Sequence, residues 1–131
     1  MNTRSGAPLI MVADRDELER AQLKAILKLK GFQVIEASTG PMMIELAMQH
    51  RPDLLLLDLR LPRLRSSEAL WQIRREPPLR KMPVIAVSNH ANSNGELPLD
   101  PLTVHDSRPI EFGRLELYLN QFLRGTRSFA A

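Results

Sequence analysis

Residues 53–62 read Asp53-Leu54-Leu55-Leu56-Leu57-Asp58-Leu59-Arg60-Leu61-Pro62, and this stretch decides the fold. Its four consecutive leucines follow Arg51-Pro52 and form a short apolar run, which is typical of a strand buried on both faces of a parallel sheet. The run ends on a single carboxylate, Asp58. Because open α/β folds place their chemistry at the carboxyl ends of such strands, Asp58 is the first candidate functional residue.

Short apolar segments of this kind alternate with segments of helical periodicity along the chain. We predict strands over 8–13, 32–37, 54–57, 83–87 and 102–104, and helices over 17–30, 42–50, 66–76 and 111–123. This alternation predicts an α/β fold, a doubly wound parallel sheet of five strands with helices on both faces. The sequence does not encode the strand order directly, and the flavodoxin-like order 2-1-3-4-5 is the common solution at this length.

Three details of the helices are also predicted. The buried stripe of the first helix is expected to comprise Leu18, Ala21, Ala25, Ile26 and Leu29. The only tryptophan, Trp71, is assigned to the core. Residues 90–101 are rich in asparagine, glycine and proline, so the fourth helix, between the last two strands, is expected to be short or absent.

The composition is that of an ordinary globular domain: 131 residues, of which 44% are hydrophobic and 25% charged. The absence of cysteine excludes disulfides and thiolate metal sites. There is no apolar run long enough to span a bilayer and no signal peptide, so we expect a cytoplasmic protein with no membrane partner. The domain is expected over 8–124, with flexible termini at 1–7 and 125–131.

Arginines cluster between Arg60 and Arg80, and the net charge is +3. A basic cluster can bind nucleic acid or an acidic protein. However, aromatic residues are only 5% of the chain, and no helix-turn-helix, zinc-finger or RNA-binding signature is present. A solvated surface is therefore the simpler interpretation, and direct nucleic-acid binding is not predicted.

The residues at the predicted strand ends form a set that resembles the receiver domain of two-component response regulators. Residues 54–62 are similar to the family's phosphoacceptor block, in which an apolar run, an aspartate and two further residues precede Met or Leu and a proline. Asp14 follows the first strand, Ser88 the fourth and Arg108-Pro109 the fifth. The resemblance covers roughly residues 8–124 and implies a single-domain receiver.

The resemblance also implies a chemistry. Asp58 would accept a phosphoryl group from a histidine kinase or another phosphodonor protein. Mg²⁺ would offset the charge on the transferring oxygens, held by Asp14, Asp58 and the backbone carbonyl of Arg60. A downstream signalling protein would then recognise the changed surface, and a homodimer is one of the assemblies left open.

Further positions match the family's switch residues. Ser88 would be the switch hydroxyl, and His105 falls near the position of a movable aromatic residue. Arg108 would supply the cation that the family places on a lysine. Ser66 stands where the family has a glycine.

Arg15 is the most consequential departure, because it stands where the family has a second acid. Two functions therefore stay open. The first is a phosphoacceptor receiver that uses Asp58. The second is a pseudo-receiver, a phosphorylation-independent interaction module in which the Arg15 guanidinium pairs with Asp58 and replaces the metal.

An enzyme is not predicted. Asp14-Arg15-Asp16 superficially resembles the Asp-x-Asp motif of haloacid-dehalogenase-like phosphatases. That family also needs a lysine and a later acidic pair, which Arg108-Pro109 does not supply.

Overall fold

A computed structural model describes residues 6–88 and 102–123, which contain a five-stranded parallel sheet in the order β2-β1-β3-β4-β5. The predicted order 2-1-3-4-5 is thus confirmed. The strands are β1 (Leu9–Ala13), β2 (Gln33–Ala37), β3 (Leu54–Asp58), β4 (Val84–Ser88) and β5 (Thr103–Ser107). The helices are α1 (Glu17–Leu29), α2 (Gly40–His50), α3 (Ser66–Arg75), a 3₁₀ turn (Pro77–Leu79) and α4 (Phe112–Leu123).

The leucine run forms the central strand β3, which lies between β1 and β4. All five of its residues are buried. Leu55 and Leu57 pack on the face covered by α2 and α3, whereas Leu54 and Leu56 pack on the face covered by α1 and α4. Burying each leucine contributes about 1.5–3 kcal/mol, so the run anchors both halves of the core.

The predicted buried stripe of α1 is wrong. Leu18 is 69% exposed and Leu29 is 88% exposed, and the helix buries Leu23 and Leu27 instead. These two leucines lie four residues apart on one face and pack in one cluster with Leu54 and Leu56 of β3. The helix therefore turns that face to the sheet.

Trp71 is not a core residue, because it is 56% exposed. The inward face of α3 is formed by smaller residues, Ala69, Leu70 and Ile73. The Arg75 guanidinium lies 4.7 Å from the centroid of the Trp71 ring, a cation–π contact at the surface.

A helix follows β5 as predicted, and it is the fourth in chain order, α4. The prediction of a short or absent helix between β4 and β5 concerns residues 89–101, which lie outside the described residues. Within the described ranges, none of the helices has both the length and the apolar character that a bilayer crossing requires.

We predict an alkaline titration for Tyr118 of α4, whose hydroxyl donates to Asp106 Oδ2 at 2.8 Å. Burial and the contact with Asp106 raise the pKa of Tyr118 to about 12, above its usual value of about 10. The Tyr118 hydroxyl therefore loses its proton at a higher pH in the folded state than in the unfolded state. The protonated hydroxyl contributes stability that is fully present below pH about 10 and is lost as the pH rises toward 12.

Phenolate absorbance measures this directly, because the chain has one tyrosine. We expect a midpoint near 12 in the folded protein and near 10 in denaturant. Asp106→Asn should lower the folded midpoint. A folded midpoint near 10 would contradict the assignment.

Candidate functional site

Asp58 ends the central strand at the carboxyl edge of the sheet and is 1% exposed. Its Oδ1 accepts the Arg60 backbone N–H at 2.9 Å, and its Oδ2 accepts the Arg15 backbone N–H at 3.2 Å. The Ser66 hydroxyl donates to the Asp58 backbone carbonyl at 3.1 Å. Donors from the loops after β1 and β3 thus fix this carboxylate, and the first residue of α3 fixes the Asp58 backbone.

Asp14 directly follows β1 and is 2% exposed. Its Oδ1 accepts the Asp16 backbone N–H at 2.8 Å. Burial is the main cause that raises the pKa of Asp14, and the negative charge of Asp58 acts in the same direction. The Asp16 hydrogen bond and the Arg108 guanidinium oppose this shift. Two buried carboxylates, Asp14 and Asp58, therefore lie at the same edge of the sheet, close enough for their charges to interact.

The Arg108 guanidinium joins these two carboxylates. Its Nη1 lies 3.2 Å from Asp58 Oδ1 and 3.4 Å from Asp14 Oδ2. Its Nη2 donates to Glu19 Oε1 of α1. The side chain is 5% exposed, and its backbone N–H donates to the Ser88 carbonyl at 2.8 Å. A single buried cation thus contacts three carboxylates.

The structure differs from the expectation for Arg15. Its backbone N–H, not its guanidinium, contacts Asp58, and its side chain is exposed. Within the described residues Arg15 forms no ion pair with Asp58. The next residue, Asp16, caps α1 by accepting the Glu19 N–H at 3.0 Å. Arg15 thus lies in the short exposed turn between β1 and α1. The cations beside Asp58 are therefore Arg108 and, at a longer distance, Arg60.

Of the remaining predicted residues, Arg60 and Ser88 lie beside this centre, whereas His105 does not. Arg60 Nε is 3.5 Å from Asp58 Oδ1, with the Arg60 side chain 35% exposed. Ser88 ends β4, is 6% exposed and pairs with Ser107 in the sheet register. His105 of β5 is half-buried and pairs with Ala86, nearer the middle of the sheet.

Sequence reasoning missed Glu19 as a site residue. It was visible only as an acid in the first turn of α1, where acids favour the helix dipole. In the structure its carboxylate pairs with Arg108, which is 89 residues away in the chain. Burial raises the pKa of Glu19, while Arg108 lowers it. No local pattern encodes a contact of this length.

Gly40 fixes the loop that leaves Asp58. Its N–H donates to the Pro62 carbonyl at 3.0 Å. A Cβ at this position would lie 2.7 Å from the Leu64 Cβ and 3.2 Å from the Leu64 carbonyl oxygen. Glycine therefore lets the start of α2 approach the β3–α3 loop closely.

An apolar groove of about 420 Å³ lies beside the site, between α1 and the segment after Arg108. Leu23 and Ile26 line one wall, and Ile110 and Phe112 line the other. Glu19 also lines this groove, so one carboxylate belongs to both the groove and the Arg108 cluster.

The arrangement does not fit Mg²⁺, which prefers octahedral oxygen coordination with one or two carboxylates and retained waters. Asp14 and Asp58 would supply a suitable number of carboxylates. However, Oδ1 and Oδ2 of both residues already contact protein donors, and Arg108 Nη1 contacts both side chains. Across the described ranges, no group of three or more histidine or acidic residues is positioned to hold a metal ion.

The family profile described as "Response regulator receiver domain" matches residues 10–97, about two thirds of the chain. The chain belongs to the response-regulator receiver family. It is therefore a receiver domain of the two-component signalling type. The matched range includes Asp14, Asp58 and Ser88, whereas Arg108 lies beyond it.

Individual relatives agree with this assignment. The polar-differentiation response regulator DivK of Brucella anthropi is 31% identical over 87 residues, which are 66% of this chain and 71% of that protein. DivK of Brucella ovis is 30% identical with the same coverage.

Solved structures share the fold. The receiver domain of the sensor histidine kinase PA1611 from Pseudomonas aeruginosa, solved with a magnesium ion in its active site cleft, aligns with a TM-score of 0.80 and 21% identity. The alignment covers 89% of this chain and 98% of that one. The chemotaxis response regulator CheY4 of Vibrio cholerae aligns with a TM-score of 0.81 and 18% identity, over 89% and 99% of the two chains.

Proposed function

We propose that this receiver acts in signal transduction by accepting a phosphoryl group on Asp58 from a histidine kinase or another phosphodonor. The observation that carries the proposal is the position of the Asp58 carboxylate. It is held by two backbone N–H groups at the end of the central strand, with Ser88 and Arg108 at the ends of the next two strands.

The reaction forms one bond and breaks one. An Asp58 carboxylate oxygen attacks the phosphorus of a phosphohistidine or an acyl phosphate, and the bond from phosphorus to the donor's nitrogen or oxygen breaks. The product is an aspartyl phosphate and a free donor. Arg108 is placed to hold the phosphoryl oxygens, because a guanidinium can donate two parallel hydrogen bonds to a phosphate.

The same step changes a surface. Arg108 has to leave Asp58 Oδ1 to reach the phosphoryl group, and this movement loosens its pair with Glu19. Since Glu19 lines the groove between α1 and residues 109–112, the shape and charge of the groove change with it. A downstream signalling protein that contacts this groove would sense the difference.

We expect acetyl phosphate to add the mass of one phosphoryl group to the wild-type protein. Asp58→Asn should abolish this addition, because the amide oxygen is a much weaker nucleophile. Intact-mass spectrometry measures the adduct, and hydroxylamine should release it as an acyl phosphate. Glu45→Gln, an exposed acid on α2, is the matched control and should retain the adduct. An adduct that persists in Asp58→Asn would disprove the assignment.

The second candidate is a phosphorylation-independent interaction module, a pseudo-receiver. The observation that favours it is the ion pair between Arg108 and both carboxylates, which already satisfies the site without a metal or a phosphoryl group. The sequence suggests Arg15 for that role, whereas Arg108 makes the contacts with Asp58 and Asp14. A wild-type protein that takes up no phosphoryl group under any donor condition would favour this candidate.

A further inference from the structure

We infer that Arg108 is a built-in cation, which occupies the position a divalent metal would need and so keeps Mg²⁺ out of the site. The inference rests on the proposed phosphoacceptor site at Asp58 and concerns its regulation. Its consequence is that Arg108, and not the missing second acid at Arg15, decides whether a metal binds.

Three contacts hold the guanidinium in place. One nitrogen, Nη1, is within ion-pair distance of both Asp58 and Asp14. The other, Nη2, is bound by Glu19 from a different side. The guanidinium therefore cannot move away from the two aspartates without also breaking its pair with Glu19. These three contacts restrict the movement of the guanidinium.

Repulsion between cations is the physical basis of the exclusion. The Arg108 guanidinium contacts Asp14 and Asp58, Arg60 Nε lies 3.5 Å from Asp58 Oδ1, and both aspartates are almost fully buried. A divalent ion between Asp14 and Asp58 would lie within a few ångströms of the Arg108 guanidinium, where water screens the repulsion poorly. The metal and Arg108 thus compete for the same two carboxylates.

A lysine at this position would not exclude the metal in the same way. An ammonium is a single point charge, whereas the planar guanidinium has two separate nitrogens that can hold opposite partners. Lysine could pair with Asp58 and Asp14 through its one nitrogen, but it could not also hold Glu19 from the other side. Its ammonium would then have no contact with Glu19 to keep it beside the two aspartates, and it could move aside for a metal.

Arg15 has a smaller part in the exclusion. Its side chain is exposed and its contact with Asp58 is made by the backbone. Restoring an acid there adds a carboxylate near the rim of the site but leaves Arg108 on its three partners. Arg15→Asp alone is therefore expected to leave the metal excluded.

The test measures the binding of Mg²⁺ by calorimetry and of Mn²⁺ by electron paramagnetic resonance in the full chain. Wild type and Arg15→Asp should show no saturable binding at millimolar metal. Arg108→Lys should gain saturable binding, because its ammonium cannot also hold Glu19 and can move aside for the metal. Arg114→Lys, which alters a more exposed arginine paired with Asp106, is the control and should match wild type.

Two results would overturn the inference. One is saturable Mg²⁺ binding by the wild type with the affinity of Arg108→Lys. The other is recovery of binding by Arg15→Asp but not by Arg108→Lys. If Arg108→Lys does not fold, Glu19→Gln takes its place, because it removes the ion pair with Arg108 and should give a smaller gain in metal affinity. Wild-type affinity in a folded Glu19→Gln would then count against the inference.

Acetyl phosphate labelling separates this inference from the proposed function. The wild type should form its adduct equally well in Mg²⁺ and in chelator, whereas the adduct of Arg108→Lys should depend on Mg²⁺. If the wild type forms no adduct but the metal-binding pattern holds, the proposed function fails and the inference stands. If the wild type forms the adduct only with Mg²⁺, the function stands and the inference fails.

Discussion

Arg108→Met is expected to lower the free energy of unfolding by about 3–5 kcal/mol in metal-free buffer, the usual cost of removing one partner from a buried ion pair. Methionine is similar in length but carries no charge, so Asp14 and Asp58 would be left buried beside each other with no cation between them. Glu19 would lose its partner as well. Urea unfolding at neutral pH measures the change.

Two variants make this prediction specific. Arg114→Met removes a cation that is 53% exposed, and its partner Asp106 keeps the hydrogen bonds from Tyr118 and the Ser107 N–H. The loss should therefore be near that of an exposed pair, about 1 kcal/mol. Adding Asp58→Asn to Arg108→Met should recover part of the loss, because it removes one of the two buried negative charges. The two mutations should then show a coupling energy of about 0.5–3 kcal/mol. An Arg108→Met protein within 1 kcal/mol of wild type would show that the carboxylates do not depend on Arg108.

The sheet was predictable because its signals are local. Each strand is a short apolar run between breakers, and the fully apolar run Leu54–Leu57 predicts the strand that is buried on both faces. The face of α1 that packs on the sheet was not predictable in the same way. Two sets of apolar residues in α1 have helical spacing, one with Leu18 and Leu29 and one with Leu23 and Leu27. Which set is buried depends on residues outside the helix. In the structure Arg20 and Lys24 pair with Glu36 of β2, which places Leu23 and Leu27 over the core.

The location of the site could be predicted from the sequence, but the contacts between its side chains could not. Because the carboxyl ends of parallel strands meet at one edge, Asp14, Asp58 and Arg108 were expected together. Which arginine contacts Asp58 depends on the direction of each loop. The backbone after β1 presents its N–H to Asp58 and turns the Arg15 side chain outward. The partner of Arg108 on α1, Glu19, is set by tertiary packing alone.

Leu57→Ala is expected to lower the free energy of unfolding by about 2–5 kcal/mol, and the upper half of that range applies here. In the sheet register Leu57 lies between Ala13 of β1 and Ala86 of β4, with Ala37 beyond Ala13. Leu57 is therefore the one large side chain among these four positions, and it is fully buried. The neighbouring alanines are too small to fill the cavity that its removal leaves.

Leu57→Met keeps most of the volume and should cost less than about 1.5 kcal/mol. Leu29→Ala is the matched control, since that leucine is 88% exposed and its loss should change stability by no more than about 0.5 kcal/mol. Urea unfolding of the three variants tests the cavity argument, and equal losses in Leu57→Ala and Leu57→Met would contradict it. Because Leu57 directly precedes Asp58, a folded Leu57→Ala protein should also label more slowly with acetyl phosphate, as the end of β3 loses the packing that positions the carboxylate.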